Sequence, residues 1–442
     1  AYLTVGGVAA IATFIATPLA RKTAERFGVI SAPDDRDVHE LPTPHLGGPA
    51  MLFGLLAGAL FAWLIGDFSE VFSARSEIVG VLVAAIAMCG VGVIDDVRPI
   101  SAPAKIAGMV IAGSVLSLVG VSLVVLRIPF VDVVLLSPDL AALATVLWVV
   151  LLANAINLID GLDGLATGIV AIAATTFVIY AIRLTNEGVL FEENPGSLIA
   201  VLIAGVCFGF IPHNAHPAKI FMGDGGALML GVLLAASTVS VGGRTDAAYS
   251  GQSFFFFAPL LIPLVILGVP IIDVLFAIIR RIATPGLSVT TADKDHLHHR
   301  LLRLGHGHRR VVFILWAWTA LLSGFVLWPT YSGRGDGIVP AVWPLALGLR
   351  QRHGNWFVQL CHSADPLSAP ARRPPRFLGG GADGAGATRG HSPGFSALRL
   401  QGLRATGQGR GNGLALVAAG GGVRRPGSLA VVGDRRARGG WG

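Results

Sequence analysis

The sequence predicts an all-α polytopic membrane protein of about 10–11 transmembrane helices, with its N-terminus outside. Three observations lead there. Hydrophobic residues make up 53% of the chain and charged residues only 13%. Apolar runs recur at the roughly 18 or more residues that a helix needs to cross a bilayer. No long stretch alternates polar and apolar residues, as the strands of a membrane barrel do.

In order, the runs cover residues 1–20, 47–66, 78–94, 104–125, 138–156, 165–184, 196–212, 226–241, 254–279 and 311–328. The first lacks a basic leader and is followed by Arg21 and Lys22, so it reads as a span rather than a signal peptide. The chain starts at Ala1 rather than Met, and an incomplete or processed N-terminus is expected. After the tenth run, "IVPAVWPLALGL" offers twelve apolar-rich residues before Arg350 and Arg352, too few to span. Residues 1–335 therefore form the multi-span domain. The Gly/Pro/Arg-rich stretch 336–442 has a composition that cannot bury a core and is expected to be disordered. Two origins suit that stretch: a natural flexible tail, or a frameshift that has replaced an eleventh span.

Charge divides the same way. Residues 1–349 hold 19 Lys and Arg against 23 Asp and Glu, whereas 350–442 hold 14 Arg against three Asp. The formal net charge of +7 belongs to the tail, and it is no sign of a nucleic-acid partner. Cys89, Cys207 and Cys361 suggest neither a disulfide framework nor a metal site.

Alternating the spans puts loops 21–46, 95–103, 157–164, 213–225 and 280–310 on one face. With their ends they carry 14 Lys and Arg, against five (Arg75, Arg127, Arg183, Arg244, Arg334) opposite. The positive-inside rule assigns the first set to the cytoplasm. The polar clusters fall on that same face.

Four such clusters carry chemistry. In "NAINLIDGLDGLA", Asn154, Asn157, Asp160 and Asp163 interrupt an apolar stretch at three-residue spacing. On an ideal helix that spacing fans them over half the circumference, so they do not share one job. In "GVGVIDDVRPISAPAKIAG", Asp95 and Asp96 are adjacent carboxylates that repel unless a cation offsets them, with Lys105 following. In "AKIFMGDGGALMLG", Asp224 lies between glycines just before a span, where backbone can approach a phosphate. In "TADKDHLHHRLLRLGHGHRR", His296, His298, His299, Arg300, His306, His308, Arg309 and Arg310 suit an anion better than zinc. Each has a plainer reading: an interfacial acidic pair, a Gly-Asp-Gly turn, or positive-inside decoration. "DDRDVHELPTPHLGGPAM" reads as a stiff connector, and Asp273 as a bond to a neighbouring helix. Together the clusters put carboxylates, amides and cations on one membrane face, an inventory for Mg²⁺ and a diphosphate.

"VIDDVRPISAPAK", "NAINLIDGLDGLA", "FMGDGGALMLG" and "DHLHHR", in that order, closely resemble the polyprenyl-phosphate sugar-1-phosphate transferases. His-Leu-His-His-Arg in the last cytoplasmic loop resembles the N-acetylglucosamine branch rather than the muramoyl-pentapeptide branch with its triple histidine. The resemblance covers about residues 1–335. It implies transfer of GlcNAc-1-phosphate from UDP-GlcNAc to a polyprenyl phosphate, releasing UMP. That is the first membrane step of a cell-envelope glycan, in the lipid bilayer of a bacterial inner (plasma) membrane. It implies Mg²⁺, with Mn²⁺ as a substitute, and is compatible with a homodimer.

By motif, Asp224 and Asn157 are expected to hold the metal, and Asp95, Asp96 and Asp160 to serve as the catalytic carboxylates. Asp163 and Phe221 match positions that hold the uracil; Lys105, His296, His298 and Arg300 are expected at phosphates or sugar. Asp37 and His45 stand where basic residues are common in the family. A lipid phosphate with its second pKa near ~6 is already mostly dianionic at neutral pH. Direct single displacement, with Asp96 positioning the acceptor, is therefore expected over a covalent aspartyl intermediate. The alternatives are a muramoyl-pentapeptide transferase, a CDP-alcohol phosphotransferase (which lacks its Asp-Gly-x-x-Ala-Arg opening here), a dead scaffold, and a secondary transporter. The transporter would place its polar groups near the midplane rather than at the helix ends.

Overall fold

The computed structural model describes residues 1–31, 42–73, 75–128, 132–188, 194–242 and 301–332, with 190, 264, 267, 268, 271 and 275 as isolated positions. All of them fall in one compact unit, Ala1–Ser368. Long helices dominate: α1 (Tyr2–Phe27), α2 (Gly47–Ile65), α4 (Arg75–Val97), α5 (Ala102–Leu118), α6 (Pro138–Ile159), α7 (Leu165–Asn186), α8 (Pro195–Asn214), α9 (Gly223–Gly242) and α10 (His308–Ser332). The short α3 (Ser69–Ser73) links α2 to α4. Eight of the long helices have the length and apolar composition to cross a membrane, and α5 is a shorter apolar helix. The chain is a multi-pass membrane protein.

Nine of the ten expected runs thus appear as helices among the described residues. Of the run at 254–279 only 264, 267, 268, 271 and 275 are described, and Asp273 and the stretch 336–442 lie outside the described residues.

Two small antiparallel ribbons were not expected. One pairs β1 (Ile30–Ser31) with β2 (Thr43–Pro44), the other β3 (Val125–Ile128) with β4 (Asp132–Leu135). The second corrects the run at 104–125: its helix stops at Leu118 and the chain turns toward a hairpin. An apolar run rich in Val and Leu satisfies strand and helix alike, so hydropathy alone cannot place that boundary.

Helix α9 runs through the middle. It packs against α4, α6, α8 and α2 and is buried along almost its whole length. Its sequence is apolar on every side, as a central helix requires. Small residues let its neighbours come close. A Cβ on Gly231 would fall 2.4 Å from the Ala153 Cα of α6, and one on Gly48 2.5 Å from the Gly226 amide nitrogen. At the periphery α10 lies along α7, where the Trp316 indole covers Gly168 and donates to the Leu165 carbonyl at 3.3 Å.

One end of the bundle gathers the connections that carry the polar motifs. The first amides of α2 donate outside their own helix: Gly47 N–H to the Phe221 carbonyl and Gly48 N–H to that of Met222, both at 3.0 Å. Phe221 N–H in turn reaches the Pro44 carbonyl at 2.8 Å. These bonds satisfy donors that a helix start leaves open, and they fasten the stiff "PTPHLGG" end to "FMGDGG".

Candidate active site

The site grows from four helix ends. Helix α6 stops at Ile159, and the turn through Asp160–Gly164 leads into α7; Gly164 holds φ +75°, the left-handed region that glycine enters without strain. Asn154 and Asn157 therefore ride the last turns of α6, while Asp160 and Asp163 belong to the break. Asn154 donates to its own helix at the Val150 carbonyl (2.7 Å) and touches the Met109 sulfur (3.1 Å), a bracing role.

Asp95 and Asp96, side by side near the end of α4, point to different partners. Asp96 accepts the backbone N–H groups of Asp224 (2.9 Å) and Gly225 (3.2 Å), one on each oxygen. It caps the start of α9 from a neighbouring helix, where a carboxylate also favours the positive end of the helix dipole. Gly223, at φ +68°, makes the entry turn, and a Cβ there would fall 2.5 Å from the Asp96 Oδ2. Asp95 accepts the Ile100 N–H at 2.7 Å on Oδ1 and the Lys105 ammonium at 2.5 Å on Oδ2.

Lys105 sits in the first turn of α5, where the helix dipole disfavours a cation. Its charge is offset by two carboxylates, since Nζ lies 2.5 Å from Asp224 Oδ2 as well as from Asp95. Asn157 Nδ2 approaches the same Asp224 oxygen at 3.4 Å. The four expected residues Asp95, Lys105, Asn157 and Asp224 thus converge on a few atoms, with Asp96 holding the backbone beneath them. Asp160 closes the set. Burial, together with the charges of Asp224, Asp96 and Asp163, pushes its carboxyl well above the usual carboxylate range.

Lys105 is thus paired with Asp95 and Asp224, while Asp96 rests on backbone N–H groups and Asp160 lies close by. An excess of hard oxygen donors in one place, joined by an amide, suits Mg²⁺, which takes a few carboxylates and leaves room for phosphate oxygens. The residues fit that ion.

A second polar group adjoins the first. Asp163 is buried; its Oδ2 accepts from Ala218 N–H (3.1 Å) and lies 2.7 Å from His216 Nδ1. The His216 ring stacks on His308 at the start of α10, centroids 4.2 Å apart and planes 21° from parallel. Nitrogens of the two rings and the Asp163 carboxylate come within 4.8 Å of one another. Nearly parallel rings aim their in-plane lone pairs side by side rather than at a common point, so the contact is a stacking one. The loop under it is tied by Asn214, which accepts from Thr167 Oγ1 (2.7 Å) and donates to the Ile220 carbonyl (3.1 Å). Phe221, at the far end of that loop, meets the His45 ring edge-on at 5.1 Å.

His296, His298, Arg300 and Asp37 lie outside the described residues. Sequence reasoning missed His216. The signal was available, since "HNAHPAK" places two histidines in the loop that leads to Asp224. It also read His308 as part of the anion-binding loop, without its partner.

The double acceptor role of Asp96 gives a prediction. Asn at this position keeps one acceptor oxygen and turns an amide toward the other N–H. Asp96→Asn is expected to cost about 1.5–3 kcal/mol of stability, the worth of a charge-assisted bond. Activity should fall along with the thermal midpoint in detergent. Lost activity at an unchanged midpoint would assign Asp96 to the chemistry instead.

Comparison with known proteins gives the following. The model of "Glycosyl transferase family 4" matches residues 78–242, which hold Asp95, Asp96, Lys105, Asn157, Asp160, Asp163 and Asp224. A decaprenyl-phosphate N-acetylglucosaminephosphotransferase of Mycobacterium leprae is 42% identical over 326 residues, 72% of this chain and 81% of the relative. The protein of the same name from Mycobacterium tuberculosis is 40% identical, over 72% and 80% of the two chains. A phospho-N-acetylmuramoyl-pentapeptide-transferase of Desulforudis audaxviator is 32% identical, over 71% and 93%.

Proposed function

Because the chain belongs to glycosyl transferase family 4, we propose that it transfers N-acetylglucosamine 1-phosphate from UDP-N-acetylglucosamine to a polyprenyl phosphate. The products are polyprenyl-diphosphate-N-acetylglucosamine and UMP. The reaction opens a cell-envelope glycan pathway at the inner membrane of a bacterium, with the polar end of the bundle in the cytoplasm. The names of the mycobacterial relatives, more similar than the muramoyl-pentapeptide enzyme, support this sugar over the alternative branch. Polar groups at the helix ends, rather than midway along them, favour a transferase over a transporter.

The observation that carries the reading is the convergence of Asp95, Lys105, Asn157 and Asp224 on a few atoms at that end. In the reaction, an oxygen of the lipid phosphate attacks the sugar-bearing phosphorus of the UDP-sugar. A new P–O bond forms as the bond to the bridging oxygen breaks, and UMP leaves with the electron pair. The dianionic acceptor needs little help from a base, so the main task is to hold two anions together. Asp224 and Asn157 are the residues that would hold Mg²⁺, or Mn²⁺ in its place. When bound, the ion offsets the charge of the diphosphate.

Asp96, with both oxygens on backbone N–H groups, is a positioning residue for the start of α9 rather than a nucleophile; this favours single displacement. Asp163, which accepts from the Ala218 N–H of the 214–222 loop, and Phe221, at the far end of that loop, are proposed to hold the uracil. His296, His298 and Arg300 are proposed for phosphate and sugar. Membranes carrying this chain should move radiolabel from UDP-[¹⁴C]GlcNAc into a lipid fraction; EDTA should stop it and Mg²⁺ restore it. No labelled lipid above empty membranes would refute the activity, and transfer indifferent to EDTA would refute the metal.

A further inference from the structure

We propose that Lys105 and the divalent cation are alternative occupants of one place. The Lys105 ammonium holds Asp95 and Asp224 together until the ion takes the Asp224 oxygen, and its release from Asp224 then presents a cation to the incoming phosphates. This rests on the metal reading of Asp224 given above.

The geometry carries it. Lys105 Nζ lies 2.5 Å from Asp95 Oδ2 and 2.5 Å from Asp224 Oδ2, so one ammonium spans two carboxylates from different helices. Both Asp95 oxygens are committed, Oδ1 to the Ile100 N–H and Oδ2 to Lys105. The amide of Asn157, the second expected ligand, meets the very Asp224 oxygen that Lys105 holds. An ion bound there by Asp224 competes for the oxygen that Lys105 uses, and two cations on one oxygen repel. Entry of the ion therefore drives the ammonium off Asp224.

The side chain can follow that push. Lysine is a compact charge on a flexible four-carbon stem, and this one starts from the first turn of α5 and is only partly buried. Its displacement leaves a positive group within a stem's reach of the ion, where the phosphates arrive. The exchange couples metal occupancy to phosphate affinity: without the ion the lysine is spent on two carboxylates, and with it the lysine keeps Asp95 alone and has donors to offer. It also gives the carboxylates a counter-charge in the absence of the ion, which limits their mutual repulsion.

The test uses Mn²⁺ as the probe and the full chain in detergent, with free Mn²⁺ read by electron paramagnetic resonance. Lys105→Met and Lys105→Gln are expected to bind Mn²⁺ about tenfold more tightly than the native chain, because the competing cation is gone. Lys105→Arg, which keeps a cation there, should stay within about threefold of native. UDP-GlcNAc should tighten Mn²⁺ binding to the native chain and do so less in Lys105→Met. Unchanged or weakened Mn²⁺ binding in both neutral variants would overturn the exchange and leave Lys105 as a structural bridge. Asp224→Asn separates the two levels. If it weakens Mn²⁺ binding while the lysine variants do nothing, the metal site stands and the exchange falls. If Asp224→Asn leaves Mn²⁺ binding unchanged, the metal reading falls and the exchange with it.

Discussion

Asp224→Asn is expected to abolish transfer, lowering it more than about 100-fold, while the protein still inserts and folds. The magnitude follows from scale: disturbing residues that merely orient a metal's ligands already costs about 10–100-fold, and Asp224 is the proposed ligand itself. The fold should tolerate the change. The backbone of Asp224 is held by Asp96 and by its place at the start of α9, and neither bond uses the side chain. The amide also remains a neutral neighbour for Lys105 and Asn157. Labelled-lipid formation, expression level and thermal midpoint in detergent are measured together. Transfer within a few-fold of native would remove Asp224 from the metal site.

Much of this arrangement is legible in the amino-acid sequence. Helix positions follow from bilayer-length apolar runs, and the expected 47–66 is the helix Gly47–Ile65 because a single segment can satisfy its own backbone in hydrocarbon only as a helix. The break after Ile159 is readable from polar residues and glycines in an apolar context. Polar side chains in such runs are costly, and so Asp95, Lys105, Asn157 and Asp224 stand out one by one and are found together. Their division of labour is not readable. Nothing in "DD" says that the second carboxylate faces backbone amides while the first faces an ammonium, because that choice depends on how α4 is rotated against α9. The stacking of His216 on His308 joins segments about ninety residues apart, and no local spacing reports it. The ribbon after α5 is hidden for a simpler reason: Val and Leu serve strands and spans equally.

Glycines form the least legible part of the site, and one of them yields the second large expectation. Gly92 is buried on α4, one turn before Asp96, in a run where it looks like any small residue of a membrane helix. A Cβ on it would fall 2.3 Å from the Asp224 carbonyl carbon and from the Gly225 nitrogen, and 2.4 Å from the Asp224 carbonyl oxygen. Backbone cannot rotate aside as a side-chain tip can, so α4 and α9 must separate by close to an ångström to admit even a methyl group. That separation pulls Asp96 from the amides it caps and Asp95 from Lys105, whose other partner moves with α9. Gly92→Ala is therefore expected to lower transfer about 100-fold, the size of loss a 1 Å misplacement can cause, although it removes no polar group. Gly90→Ala is the matched control: same helix, same substitution, exposed, and nothing within 4 Å of the added carbon. It should leave transfer unchanged. Equal activity in the two variants would mean that the close approach of α4 to α9 does not set the geometry of Asp224, and that the carboxylates hold their places by charge alone.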